Sequence, residues 1–297
     1  GGGWPRLTRP RGERGPQGGG AMKITWRSVG VGILVGLFAL LLWPHAAQAG
    51  EAGPQMQDTL NNVVKKGEVI VGTFDFFPPW GFRDAQNNIV GMDVDIAKEL
   101  ASDDVLKVKL TLVPVPTTQD RINFLLSGKI DVAISNFTAT LPRSKAITFT
   151  NPYVIDGIGV IYRKELKIAD WKDLNGKRVA VTTGSTGEIL AKKQAPQAKL
   201  LQFDQASTAL LAVQQNKADA QIEDYTYTVY HAGRNKDLAF LNKPLDFQPY
   251  CFGVRKFDQE WLNYMNFFIY RLHQSGKMKE LYKKWFNAEP ARVSPTW

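Results

Sequence analysis

The sequence predicts an α/β protein built on open sheets, with its working groups at the carboxyl ends of strands. Three observations carry that expectation. Residues 117–153 read as a helix, a tight turn, a short buried strand, a polar stretch and a lone arginine ahead of a further strand. Ile122, Leu125 and Leu126 recur at helical spacing, Ser127-Gly128 stops that helix, and Ile130–Ile134 is an apolar run of β-branched character that suits a central, covered strand. The same order of helix, turn and strand returns at Trp171–Val181 and at Thr208–Asp224. The chain of 297 residues, 44% hydrophobic and 22% charged, is long enough to bury a sizeable core in one large or two small domains.

In chain order, residues 1–21 are Gly/Arg/Pro-rich and are expected to be disordered and foreign to the natural product. Met22 is the expected start. Lys23 and Arg27 form a positive n-region, Val29–Trp43 an apolar run, and Ala47-Gln48-Ala49 a small-x-small cleavage site. That is the pattern of a secretory signal peptide over residues 22–49, cleaved near Ala49. The apolar run falls short of the ~20 residues a membrane span needs. No cysteine stands at the cleavage point to take a lipid. The mature chain is expected to begin near Gly50 and to lie outside the cytoplasm.

Glu51–Lys66 reads as a linker and an amphipathic turn or two, and Val69–Thr73 as the first strand. Phe74–Phe82 is the densest aromatic patch, and its two prolines predict a constrained irregular loop. Most of its rings suit a hydrophobic plug. One or two of Phe74, Phe77 and Trp80 suit a pocket wall, because the loop leaves the carboxyl end of a strand. Gly91–Ala101 is an amphipathic helix with Asp93 and Asp95 in its first turn, where a structural or capping role is expected of both. Val108–Val115 is the second strand. The strand at Ile130–Ile134 then gives way to Ser135, Asn136, Thr138, Thr140 and Arg143. An arginine fork with neighbouring hydroxyls suits carboxylate recognition; a surface arginine beside ordinary turn formers is the plainer alternative.

Gly157–Tyr162 reads as a strand, and Thr182–Glu188 as a Gly/Ser/Thr-rich turn opening a helix that runs through Gln194. Free N–H groups at such a helix start make an anion site. No lysine follows the second glycine, which argues against a phosphate loop. Lys199–Phe203 is a strand, Thr208–Lys217 a helix, and Asp219–Asp224 a strand ending in acids, of which Glu223 is expected to face away from Asp224 by strand alternation. Pro249–Arg255 is a return strand. Phe257–Ser275 and Met278–Phe286 are closing helices.

The net charge of +9 is partly local. Residues 1–49 carry six basic side chains and one acid, and without them 31 basic residues stand against 27 acidic, a net of +4. No basic-aromatic stripe suits a phosphate backbone, so nucleic acid is not an expected partner. One cysteine, Cys251, sits in an apolar run and reads as a buried thiol; three scattered histidines, His45, His231 and His273, give no metal-ligand spacing. No cofactor, metal or catalytic residue is expected.

Several of these stretches, in order, resemble the family 3 solute-binding proteins, the periplasmic amino-acid receptors of ABC importers. The resemblance rests on Arg121-Ile122, Gly128-Lys129-Ile130-Asp131, Thr138-Ala139-Thr140-Leu141-Pro142-Arg143 and Phe149-Thr150-Asn151-Pro152-Tyr153. It extends to Gly91–Ala97, where Met92 replaces a commoner aromatic, and to the closing Ser275-Gly276 and Trp285-Phe286, covering roughly residues 60–287. It implies a two-lobed, type II periplasmic-binding-protein-like α/β fold. Lobe 1 would comprise residues 50–156 and 249–297, lobe 2 residues 157–248, and two hinge strands would join them. It further implies a monomeric, periplasmic, non-enzymatic receptor that closes around an L-amino acid and presents it to membrane permease subunits.

By the same resemblance Arg143, Thr138 and the Ser185-Thr186 turn meet the ligand carboxylate and Asp224 its ammonium, with Asn136 in the same polar cluster. Arg121, assisted by Thr118, stands where receptors for acidic amino acids carry an arginine. Phe74 and Gln205 replace basic residues common in those receptors, so the favoured ligand is acidic or polar neutral. A basic ligand would need Asp75 turned inward. Related cyclohexadienyl dehydratases carry a catalytic carboxylate where this chain has Tyr225-Thr226-Tyr227. A dehydratase, a sensor domain and an adhesin scaffold are the alternatives to a transport receptor.

Overall fold

The computed structural model describes residues 58–290; the expected leader, the signal segment and the residues beyond Pro290 lie outside them. Helix α1 (Thr59–Lys66) is capped by Asp58, whose side chain accepts from the Asn61 N–H, and is closed by Gly67 in the left-handed conformation at φ 66°. Strand β1 (Glu68–Thr73) leads to a small antiparallel sheet of β2 (Phe76–Phe77), β3 (Gly81–Arg83) and β4 (Ile89–Val90). Helix α2 (Met92–Ser102), β5 (Lys109–Pro114), α3 (Asp120–Leu126), β6 (Val132–Thr138), the single turn α4 (Leu141–Ser144) and the long β7 (Thr148–Arg163) follow. The pattern then repeats with β8 (Arg178–Thr182), α5 (Thr186–Gln194), β9 (Lys199–Phe203), α6 (Ala206–Gln214), β10 (Ala220–Asp224), α7 (Tyr225–Ala232) and β11 (Leu238–Phe240). Strand β12 (Phe247–Val254) returns, and α8 (Gln259–Gln274) and α9 (Lys277–Phe286) complete the described chain.

Two open sheets result, and one strand serves both. In the first, β1 lies parallel between β5 and β6, and β12 runs antiparallel between β6 and β7. In the second, β8 lies parallel between β9 and β10, and β10 pairs antiparallel with β7. The early part of β7 pairs with β12 (Val154 with Tyr250, Asp156 with Gln248), and its later part with β10 (Ile158 with Asp224, Tyr162 with Ala220). The handover falls at Gly157-Ile158. A Cβ at Gly157 would lie 2.4 Å from Pro244 Cβ and 2.6 Å from the Asp246 carbonyl, so only glycine lets the strand pass this loop.

Strands β6 and β10, each central in its sheet with one parallel and one antiparallel neighbour, are buried at every position, as strands covered on both faces are. The closing helices pack back on the first sheet. Trp261 Nε1 donates to the Asp131 carbonyl at 3.0 Å, while Lys284 Nζ and Trp285 Nε1 donate to Asp95 at 2.6 and 2.9 Å. Fully buried rings such as Trp261, Tyr153 and Phe252 each contribute about 1.5–3 kcal/mol of apolar transfer. Among the described residues no helix is long and apolar enough to cross a membrane.

Several expectations need correction. The aromatic stretch is not irregular: Phe76 pairs with Phe82 across a hairpin, and Pro78-Pro79 stand in its turn, where missing N–H groups cost no ladder bond. Strand β6 runs on through Ser135–Thr138 instead of ending in a polar loop. Asn136 tolerates the positive φ of 39° that bends it, and Phe137 and Thr138 still pair with Cys251 and Tyr250. Strand β7 starts nine residues before Gly157. Residues Trp171–Leu174 form a 3₁₀ turn, and β11 was not anticipated. Of the structural or capping role expected of Asp93, the structural one is found: the N-cap of α2 is Gly91, and Asp93 accepts from the Asn136 N–H and the Tyr153 hydroxyl.

Candidate functional site

Beyond the carboxyl ends of β1, β6, β8 and β10 a cavity opens between the two sheets. Of the residues singled out in sequence, Phe74, Phe77, Thr118, Arg121, Asn136, Thr138, Arg143, Ser185, Thr186 and Asp224 line it. Phe76, Thr182, Ala206 and Glu223 line it as well and were not anticipated. Trp80 does not. It is fully buried beneath the site, edge-on to Tyr250 at 5.1 Å, and its Nε1 donates to Thr226 Oγ1 at 2.9 Å.

Arg143 reaches both sides of the cavity. Its Nη1 donates to the Thr138 carbonyl at 2.7 Å, and its Nη2 to the Gly184 carbonyl at 3.1 Å. Burial lowers its pKa to about 10, with Asp224 opposing the shift, so it stays charged at neutral pH. The turn it meets is held by its own capping bonds. Ser185 Oγ accepts from the Glu188 N–H at 3.0 Å, and the Glu188 carboxylate accepts from the Gly184 N–H at 2.8 Å. The N–H groups of Thr186 and Gly187, the first two of α5, have no intrahelical acceptor, and helix geometry makes this end attractive to an anion.

Arg121 lies deeper, on α3. Its Nε donates to the Thr118 carbonyl at 3.1 Å and its Nη1 to the Ser135 carbonyl at 2.9 Å. The guanidinium sits over Phe137 at 4.0 Å and over Phe74 at 4.8 Å, so aromatic faces stand where water would be. Burial and the nearby charge of Arg143 push its pKa well below the usual arginine value.

Carboxylates face these cations. Asp224, the last residue of β10, accepts from Asn136 Nδ2 at 2.8 Å, a bond that crosses from one sheet to the other. Burial raises its pKa, against hydrogen bonds from Tyr250 and Asn136. Asn136 is itself held by its backbone N–H, which donates to Asp93 at 2.7 Å; Asp93 also accepts from the Tyr153 hydroxyl at 2.6 Å. Burial lifts Asp93 to about 7. Behind Asp224, Asp156 accepts from Thr226 Oγ1 at 2.6 Å and from the Tyr250 hydroxyl at 3.1 Å, and burial beside Asp224 lifts it to about 7.

Glu223 departs from expectation. Alternation assigns it the opposite face of β10 from Asp224, yet its side chain also lines the cavity. Thr182 Oγ1, at the end of the neighbouring β8, donates to Glu223 Oε2 at 2.5 Å, and the Asp224 N–H donates to Oε1 at 3.2 Å. Burial, then the neighbouring Asp224, lift it to about 8. Two further residues noted in sequence sit at the rim or outside it. Gln205 Nε2 bridges to the Pro116 carbonyl at 3.2 Å, and Asp75 is paired with Arg83 at 2.8 Å. Among the described residues no cluster of three or more His, Cys, Asp or Glu is placed to hold a metal ion.

Residues 69–288 match the model of the bacterial extracellular solute-binding proteins, family 3. The chain belongs to that family. It is 28% identical over 264 residues to the glutamine-binding ABC transporter protein GlnH of Bacillus subtilis, covering 87% of this chain and 97% of that one. It is 27% identical over 264 residues to the glutamate/aspartate import solute-binding protein of Escherichia coli, covering 84% and 86%. Among solved structures, ArgBP from T. maritima aligns with a TM-score of 0.72 at 36% identity, over 78% of this chain and all of that chain. The fold of this family 3 member is the type II periplasmic-binding-protein-like one, with two open α/β sheets joined through the shared strand β7.

Proposed function

We propose that this chain is the extracytoplasmic substrate-binding component of an amino-acid ABC importer. It closes around one L-amino acid with a polar side chain and delivers it to a membrane permease. The observation that carries this reading is the charge layout of the cavity. Arg143 and the start of α5 form an anion site, and Asp224 stands across from them as a cation site. That pair complements a zwitterion, and its halves come from both sheets, so ligand contacts favour the closed arrangement over an open one. The residues after Asp224 offer no catalytic carboxylate: Tyr225 bonds Asn242, Thr226 bonds Asp156, and Tyr227 is core.

The reading takes the protein as a monomer, exported after cleavage near Ala49. Its lobes are drawn from residues 50–156 with 249–297, and from 157–248. Isothermal titration of the mature protein, refolded to strip ligand, against the twenty L-amino acids tests it. At least one should bind, and Arg143→Ala should weaken that binding ~100-fold or more while leaving the circular dichroism spectrum unchanged, because breaking a buried charge pair costs ~3–5 kcal/mol. Failure of all twenty to bind, or near wild-type affinity in Arg143→Ala, would overturn it.

A further inference from the structure

The cavity holds more charge than the backbone of an amino acid uses. With Arg143 and the start of α5 on the ligand carboxylate and Asp224 on its ammonium, two ionisable groups remain for the side chain: Arg121 and Glu223. Arg121 spends Nε and one Nη1 hydrogen on the Thr118 and Ser135 carbonyls, leaving further donors. Glu223 takes one bond at each oxygen, from Thr182 and from the Asp224 N–H, and a carboxylate offers about four lone-pair sites. One donor group and one acceptor group therefore face the same small space, close enough that the charge of Arg121 favours the ionised form of Glu223.

From this geometry we infer that Glu223 is a specificity-determining residue that makes the cavity select an L-amino acid with a carboxamide side chain over one with a carboxylate. A carboxamide supplies a carbonyl for Arg121 and an NH₂ for Glu223. Once Glu223 has lost its proton, a side-chain carboxylate satisfies Arg121 but sets like charge against Glu223 and leaves its lone pairs unmatched, so the selection is a property of the ionised form. A basic side chain satisfies Glu223 but confronts Arg121, and Asp75 is turned away onto Arg83. The other groups around Glu223 reinforce the selection. Asp224 on its own strand adds negative charge, Thr182 on β8 fixes its rotamer, and Tyr227 on α7 lies near enough to feel the charge of Glu223. The inference rests on the reading of the cavity as an L-amino-acid site.

The test is titration of the wild type and of Glu223→Gln with glutamine, glutamate, asparagine and aspartate at pH 9 and pH 6. At pH 9 the wild type should prefer an amide to its matching acid on the order of 100-fold. That ratio should shrink at least about tenfold at pH 6, where Glu223 carries a proton and can donate. In Glu223→Gln the ratio should be small and insensitive to pH, a response that loss of packing alone does not produce. Equal binding of amide and acid by the wild type at pH 9, or a ratio unchanged by pH, overturns the assignment of Glu223, and the wild-type arm decides this even if the variant misfolds. Binding of some other L-amino acid but none of these four also overturns it, while leaving the amino-acid reading intact. Binding of none of the twenty removes both.

Discussion

Raising the pH from 6 to 9 should destabilise the ligand-free protein. Burial lifts the carboxyls of Asp93 and Asp156 from 3.8 to about 7 and that of Glu223 from 4.5 to about 8. Between the unfolded and folded pKa, the folded chain holds protons that the unfolded chain has lost. The contribution of such a group is fully present below its unfolded pKa and is lost as pH rises through its folded pKa. At 1.36 kcal/mol per pKa unit, the rise from pH 6 removes about 1 kcal/mol for each aspartate and about 3 kcal/mol for Glu223, on the order of 5 kcal/mol together. His231, held down to about 4 by burial, acts in the opposite sense. Its gain above pH 6 is under about 1 kcal/mol and is complete near pH 8. In a domain of this size 1 kcal/mol moves Tm by about 2–4 °C, so Tm should fall by on the order of 10–20 °C. Calorimetry on refolded protein at constant ionic strength measures it, and Glu223→Gln should remove about half of the fall. A Tm that is flat or rises between pH 6 and 9 would refute the reasoning.

Two other outcomes follow from burial. Trp80→Ala should cost about 3–5 kcal/mol in denaturant unfolding, because the ring is fully enclosed and its N–H holds Thr226, yet leave the identity of the preferred ligand unchanged; a switch of preference in binding assays would return Trp80 to the pocket wall. Cys251 is buried and its thiol is pushed up to about 12, so it should resist a chromogenic disulfide reagent in the native protein and react within seconds once unfolded; fast labelling of the native form would contradict the packing.

Where periodicity and burial agree, the fold was readable residue by residue. The limits of β9, Lys199–Phe203, are those the sequence predicts, and the helix ending at Ser127-Gly128 and the strand ending at Asp224 stand where expected. The misses have distinct causes. The hairpin in Phe74–Phe82 was hidden because two prolines argue against a strand, and nothing local says that they fall in the turn. The polar end of β6 looks like loop in the sequence because a strand continuing through Ser135–Thr138 depends on its partner β12, more than a hundred residues away.

The cavity shows the same division. Arg143 and the turn before α5 announce themselves through arginine chemistry and helix capping. Arg121 and Asp224 depended on the family pattern. Trp80 was misplaced because an aromatic at a strand end looks alike whether it faces the ligand or the core below. Alternation turns Glu223 away from Asp224, yet its side chain lines the same cavity. The cavity lies past the strand ends, so a long side chain from the far face can bend around the edge to it, and Thr182 holds it there. The signal present in the sequence is a second acid, Glu223, directly after Ile222 and directly before Asp224 at the end of the strand.

The handover at Gly157-Ile158 bears on the thermodynamics of ligand capture. Strand β7 stays in ladder register on both sides of that point, with Asp156 and Gly157 opposite Gln248 and Phe247 and with Ile158 opposite Asp224. The two sheets are therefore connected by paired ribbon, without a slack tether whose length would set how far apart they wander. Movement between them is torsion of a ribbon, and a ribbon explores few shapes in either state. Drawing the sheets together then surrenders little chain entropy, so the contacts a ligand makes appear in its affinity nearly undiminished.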